Sequence, residues 1–185
     1  MLTTARLELR CAALEDAAFL LRLLNDPSWL ENIGDRGVRT SADAERYIRD
    51  NLQAPYRSLG YGMYVVQLRE SAQASTPASG EPNVQPHAPA SAQPIGLCGL
   101  VKRAYLPDPD LGFALLPEFV GFGYASEAAR AVLRHAQLAL GLGKLYAIVK
   151  RGNQRSEKLL EALGFRHQGP YALPQGSEVE LYVTT

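Results

Sequence analysis

Chemistry is most legible where a strand-like run, Leu111-Gly112-Phe113-Ala114-Leu115-Leu116, gives way to Gly121-Phe122-Gly123-Tyr124-Ala125 and then to a long apolar-faced helix. A strand that enters a helix through Gly-x-Gly leaves several backbone N–H groups around one concavity. The helix N-terminus adds partial positive charge, so the pattern suits an anion such as a pyrophosphate. Gly121 and Gly123 serve either a close approach of the backbone to a ligand or a positive φ. Taken alone, the pattern reads equally well as a tight turn without a ligand. It is not a P-loop, because no Lys-Ser/Thr pair follows, and it lacks the third glycine and later acid of a dinucleotide fold. Asn153 and Ser156 form a second candidate pair. Their local reading is ordinary: Asn is a good helix N-cap, and Ser is common at the third helical position. His135 falls on the long helix and His167 on a strand, and both read as structural or exposed.

The elements around these residues follow from periodicity. Arg6-Leu7-Glu8-Leu9-Arg10-Cys11 alternates as a half-buried strand. Ala18, Phe19, Leu21, Leu23 and Leu24 give the stretch from Glu15 an apolar helical face, ended by Asn25-Asp26-Pro27. Thr40-Ser41-Ala42-Asp43 has capping-box spacing ahead of a helix carrying Tyr47, Ile48 and Leu52. Tyr61 to Leu68 and Ile95 to Val101 are strands. Between them, residues 71–94 are mostly Ser, Ala, Pro and Gln, and cannot bury enough surface to offset their ordering entropy. They read as a flexible insertion joining two strands of one sheet. Ala125, Ala128, Val132, Leu133, Ala136 and Leu140 mark the long helix, and Leu145 to Val149 a further strand. Asn153 opens a helix that Gly164 closes, and Phe165 to Gln168 and Val179 to Val183 end the chain as strands. The order predicts one mixed α/β (α+β) domain.

The whole chain sets bounds on function. At 185 residues it suits one domain that needs neither metal nor disulfide to fold. Nineteen basic and nineteen acidic residues cancel. The pairs Lys102-Arg103 and Lys150-Arg151 are too short for a nucleic-acid stripe, so nucleic acid is not expected as a partner. No secretory leader or membrane span is evident, and Cys11 and Cys98 read as buried, reduced thiols of a cytoplasmic protein.

The run Leu111 to Ala128 resembles the acetyl-CoA motif of the GNAT superfamily of N-acetyltransferases. More narrowly it is similar to the branch containing ribosomal-protein N-terminal (RimJ/RimL-like) acetyltransferases. Asn153-Gln154-Arg155-Ser156 with Leu163-Gly164-Phe165 resembles that family's next helix, and Leu7-Glu8-Leu9-Arg10 its start. The likeness implies a mostly antiparallel sheet of about seven strands with splayed middle strands, flanked by about four helices. It implies acetyl-CoA as co-substrate and no metal. The amides of Phe122, Gly123, Tyr124 and Ala125 would hold the pyrophosphate, with Gly121 making the turn. Phe113, Ala114 and Leu115 would pair with the pantetheine arm, and a backbone N–H there would polarise the thioester carbonyl. Asn153 would bond the pantetheine and Ser156 protonate the departing thiolate. Where the family commonly has Gln or Arg this chain has Glu118, an acid near the phosphate site unless its side chain points away.

Asp110, just before the pantetheine strand where the family often has Glu, is the first candidate for the general base. Glu31 and Asp35 follow, in the loop beside Trp29 that borders the family's acceptor site. Each of these acids reads otherwise as a solvated loop residue. The resemblance therefore implies acetyl transfer to a primary amine, on a protein N-terminus or a small molecule, by direct attack in a ternary complex. The chain would act as a monomer or homodimer, free of membranes. The alternative is a catalytically degenerate acyl-CoA-binding sensor or scaffold.

Overall fold

A computed structural model describes residues 1–69 and 93–184. Eight strands form one sheet: β1 (Leu2–Thr3), β2 (Leu7–Arg10), β3 (Met63–Leu68), β4 (Pro94–Val101), β5 (Asp110–Leu115), β6 (Tyr146–Lys150), β7 (Phe165–Ala172) and β8 (Glu178–Thr184). Their spatial order is β1-β2-β3-β4-β5-β6-β8-β7. Every neighbouring pair is antiparallel except β5 and β6, which run parallel. Six α-helices cover the sheet: α1 (Ala17–Leu24), α2 (Pro27–Asn32), α3 (Ser41–Tyr47), α4 (Ala54–Leu59), α5 (Tyr124–Leu138) and α6 (Gln154–Ala162). A single π-helical segment, Ile48–Gln53, joins α3 to α4.

The two faces of the sheet carry separate cores. Ala128, Ala129, Val132 and Ala136 of α5 and Leu160 of α6 pack with Leu7, Leu9, Val66, Leu111 and Val149. On the other face Leu20, Leu23 and Leu24 of α1, Trp29 of α2 and Ala44 of α3 pack with Val65, Leu97 and Leu116. Each fully buried Leu in these layers contributes about 1.5–3 kcal/mol of transfer free energy. Strand alternation sorts β5 between the two cores. Phe113 and Leu115 lie against the α5–α6 core, whereas Ala114 and Leu116 face α1–α3.

Several expectations change in detail. The sheet has eight strands rather than about seven, because the short pair of Leu2 with Leu9 and Thr3 with Glu8 adds an edge strand too brief to show a period. Among the described residues the flanking helices are six α-helices rather than about four. Asn25-Asp26-Pro27 does end α1, but it also starts α2. Pro27 takes the first helical position, where its missing N–H costs nothing, and Asp26 Oδ1 accepts from the Ser28 amide at 2.9 Å. The capping box at Thr40 and Asp43 forms as the spacing predicts. Cys98 is buried in β4 as expected, but Cys11 is exposed, because β2 stops at Arg10 and the chain leaves the sheet there. Of the predicted insertion, residues 71–92 lie outside the described residues. Pro94, its last residue, belongs to β4, opposite Gln67.

Candidate active site

The parallel pair β5 and β6 is joined only at its first rung, Asp110 opposite Tyr146. The Tyr146 amide donates to the Pro109 carbonyl at 2.9 Å, and beyond that point the strands part. Backbone groups alternate sides along a strand. The Leu116 amide donates to Ile95 on β4 at 2.9 Å, so the even residues of β5 serve β4. Phe113 and Leu115 therefore turn their N–H and C=O groups into the parting, while the Ala114 backbone is taken up by β4. A cavity of about 820 Å³ runs through this parting. Its walls include Phe113, Ala114 and Leu115 on one side and Ile148, Val149 and Lys150 on the other.

At the mouth of the cavity, Gly121 (φ 97°) and Gly123 (φ 80°) both lie in the left-handed region that side chains disfavour, so the turn itself demands glycine. Gly123 is the N-cap of α5, and the first amide to find a partner is that of Glu127, on the Gly123 carbonyl at 3.0 Å. The amides of Gly121 to Ser126 donate to no acceptor among the described residues. Six adjacent donors at the positive end of a 15-residue helix make an anion cradle.

This cradle is braced from behind by residues far away in sequence. Arg6 donates from Nε to Glu127 Oε2 at 2.7 Å and from Nη1 to the Phe122 carbonyl at 2.9 Å. Its guanidinium also lies 4.5 Å from the centre of the Tyr124 ring. Glu127 Oε1 accepts from Thr4 Oγ1 at 2.6 Å and from the Arg6 amide at 2.9 Å. Partial burial raises the Glu127 pKa, but the bonds from Thr4 and Arg6 outweigh it and hold the carboxylate below its ordinary value. Arg6 and Glu127 were not singled out from the sequence. Their pairing across 121 positions leaves no local signal.

The other side of the cavity is the face covered by α1–α3. Asp110 has the same strand parity as Ala114, shares that face, and is only 1% exposed. Arg103 Nε donates to its Oδ1 at 2.8 Å, and Arg103 Nη1 donates to Tyr105 Oη at 3.2 Å. Burial raises the Asp110 pKa, and the neighbouring guanidinium opposes the rise without cancelling it. Lys150 also belongs here, its Nζ donating to the Glu31 carbonyl on α2 at 3.0 Å.

The remaining candidates divide. Trp29 is buried, lines the cavity, and is anchored by Nε1 on the Gly34 carbonyl at 3.1 Å. Asn153 and Ser156 also line it. Asn153 Oδ1 accepts from the Ser156 amide at 3.2 Å, which leaves the Asn153 NH₂ and the Ser156 hydroxyl available to a ligand. Glu31 and Asp35 are not on the wall. Glu31 is 3.9 Å from Lys150, and Asp35 pairs with Arg39 and accepts from the Gly37 amide at 2.8 Å. The Phe122 side chain is 58% exposed and stands outside the cavity, stacked on Tyr124. Glu118 likewise points away from the cavity, paired with Arg22 at 2.6 Å.

A mixed sheet parted at its one parallel pair, with a helix N-terminus over the opening, is the architecture of an acetyltransferase. The family model described as "Acetyltransferase (GNAT) domain" matches residues 6–166, and the chain belongs to that family. It is similar to the uncharacterized protein YkkB of Bacillus subtilis, 24% identical over 169 residues that span 90% of this chain and 85% of YkkB. Among solved structures it is similar to an acetyltransferase from Agrobacterium tumefaciens, with a TM-score of 0.76 and 24% identity over 100% of this chain and 93% of that one. It also resembles RimL, the ribosomal L7/L12 alpha-N-protein acetyltransferase, in its complex with coenzyme A. That TM-score is 0.72, with 16% identity over 97% of this chain and 94% of RimL. Among the described residues no helix is long and apolar enough to cross a membrane.

Proposed function

We propose that the chain binds acetyl-CoA along this cavity and transfers the acetyl group to a primary amine by direct attack in a ternary complex. The observation that carries the proposal is two sets of backbone donors without partners among the described residues. One is the amides of Gly121–Ser126 at the mouth, the other those of Phe113 and Leu115 along the parting. The residues present fit the co-substrate. A Cβ at Gly121 would meet only open space, and one at Gly123 only Arg6 Nη2 at 3.5 Å, so nothing crowds the cradle. The likeness to RimL, whose structure holds coenzyme A, supports the same reading and, with it, membership of the RimJ/RimL-like branch.

When bound, acetyl-CoA supplies an acyl group activated as a thioester. The amides of Gly121 to Ala125 neutralise the pyrophosphate, and the Asn153 NH₂ bonds the pantetheine arm. The amides of Phe113 and Leu115 stabilise negative charge on the carbonyl oxygen under attack, already oriented and shielded from bulk water. An ammonium has no lone pair, so a proton leaves the amine before attack. Asp110, on the acceptor face, accepts it. The Ser156 hydroxyl makes no hydrogen bond among the described residues and returns a proton to the departing sulfur.

Calorimetric titration with acetyl-CoA tests the first half of the proposal. Micromolar binding, roughly −8 kcal/mol, is expected for the wild type and is lost in Gly123→Val. Release of free thiol on adding primary amines tests the second half. Binding without release under any amine identifies an acyl-CoA sensor instead, and no binding removes the proposal altogether.

A further inference from the structure

The charges on the acceptor face do not suit a polycation. Among the described residues Asp110 is the one carboxylate on the cavity wall, and Arg103 already engages it at 2.8 Å. Of the acids near Trp29 in sequence, Asp26 caps α2, Asp35 pairs with Arg39, and Glu31 stands off the wall, 3.9 Å from Lys150. Two cations line this face. Arg103 spends Nε on Asp110 and Nη1 on Tyr105, and its Nη2 has no hydrogen-bond partner among the described residues. Lys150 extends from β6 to α2 and lines the cavity, with Glu31 Oε1 3.9 Å from its Nζ. Leu23, Trp29 and Ile33 supply the rest of the wall as apolar surface.

We infer that the acceptor is an amine whose own body carries a carboxylate, bound through Arg103 with Lys150 beside it, while its nitrogen faces Asp110. This rests on the acetyl-transfer reading above and narrows its substrate class. A single buried ion pair then serves both ends of the acceptor: the guanidinium takes the anion, and the aspartate takes the amine proton. Polyamines and aminoglycosides bring several positive charges to a face with no spare carboxylate, and that juxtaposition is repulsive. A free amino acid and the N-terminus of an acidic peptide both present the required pair of groups.

Two readouts separate this inference from the reading beneath it. In the first, kcat/KM is measured for glutamate, for peptides with acidic or basic residues after a common N-terminal Ser, and for spermidine. The second uses the single tryptophan, Trp29, which lines the cavity. Its fluorescence follows binding of the same compounds in the presence of coenzyme A, without turnover. The acidic peptide or glutamate is expected to exceed the basic peptide and spermidine by at least about tenfold in both readouts. Which of the two wins tells a peptide from a metabolite acceptor. Lys150→Glu, which leaves the pair of Arg103 and Asp110 intact, should shrink that ratio several-fold, and Arg103→Gln should abolish it if the variant folds. Equal or stronger binding of spermidine overturns the inference, as does a ratio unchanged in Lys150→Glu. If acetyl-CoA binds and no amine is turned over, the transfer reading fails, while the Trp29 titration still decides the charge preference of the face.

Discussion

At its mouth the cavity is made of backbone, and at its acceptor face it is made of side chains. The mouth comes from one contiguous segment, Gly121 to Ser126, whose unpaired amides follow from two positive-φ glycines and the start of α5. The acceptor face collects Trp29 from α2, Arg103 from the loop after β4, Asp110 from β5 and Lys150 from β6. Backbone donors are present whatever side chains the segment carries, provided the turn keeps its shape. Side-chain donors exist only while every contributing segment is in place. The mouth should therefore be sensitive to glycine replacement and to its bracing, and the acceptor face to single charges.

Removing the charge of Asp110 is the hardest test of that contrast. Asp110→Asn is expected to lower kcat by about 10²–10⁴, the usual worth of a positioned base, with acetyl-CoA affinity unchanged. Because burial raises the Asp110 pKa, the wild-type rate should fall as pH drops through a value above that of an ordinary aspartate. That limb should vanish in the variant, and a pH–rate profile that keeps it ends the role of Asp110 as base.

At the mouth, Gly123→Val places a β-branched residue at φ 80°, a conformation costing on the order of 1–3 kcal/mol. Acetyl-CoA affinity should fall by about 100-fold or more, because the amides turn with the strained backbone. If calorimetry shows wild-type affinity, the cradle is not the pyrophosphate site.

Arg6→Ala sharpens the comparison by removing the brace and leaving every cradle atom. It frees Glu127 and the Phe122 carbonyl, and should raise KM for acetyl-CoA by about tenfold with little change in KM for the amine. Arg6→Lys should recover only part, since one ammonium cannot make both bonds and also cover Tyr124. An effect shared equally by both substrates would mean general destabilisation.

Glu118→Gln should change least. Its carboxylate pairs with Arg22 on an exposed surface, a contact worth about 0–1 kcal/mol, and stands off the cavity wall. Acetyl-CoA affinity within about twofold of wild type is expected. A clear gain in affinity would show that this acid does reach the phosphates.

The sequence made the mouth readable because its determinants are local. Gly-x-Gly between an apolar strand and an amphipathic helix dictates a turn with free amides, and Asn153 followed by Ser156 dictates a capped helix. Both rest on interactions spanning no more than four residues. The same locality explains why the capping box at Thr40 came out as read, and why the apolar periods of α1 and α5 did. What went unread or was misread were features with no period or with two meanings. β1 is two residues long, Asn25-Asp26-Pro27 stops one helix and starts another, and Cys11 sits one residue past the end of its strand.

The acceptor face was legible only in part. Asp110 and Trp29 could be named from the family resemblance, but so could Glu31 and Asp35, which do not reach the wall. A loop acid goes to whichever cation the fold sets beside it, here Arg39 for Asp35 and Lys150 for Glu31. Arg39 lies four residues from Asp35, but Lys150 comes to Glu31 from 119 residues away, and no spacing along the chain encodes that choice. For the same reason the brace of Arg6 on Glu127 emerges only once the strands are assembled. The chain thus specifies on its own its elements and the glycine turn with its free amides, because hydrogen bonds between near neighbours enforce them. The charge of the opposite face is a property of packing, where separate segments are brought together and electrostatic partners are chosen by that proximity.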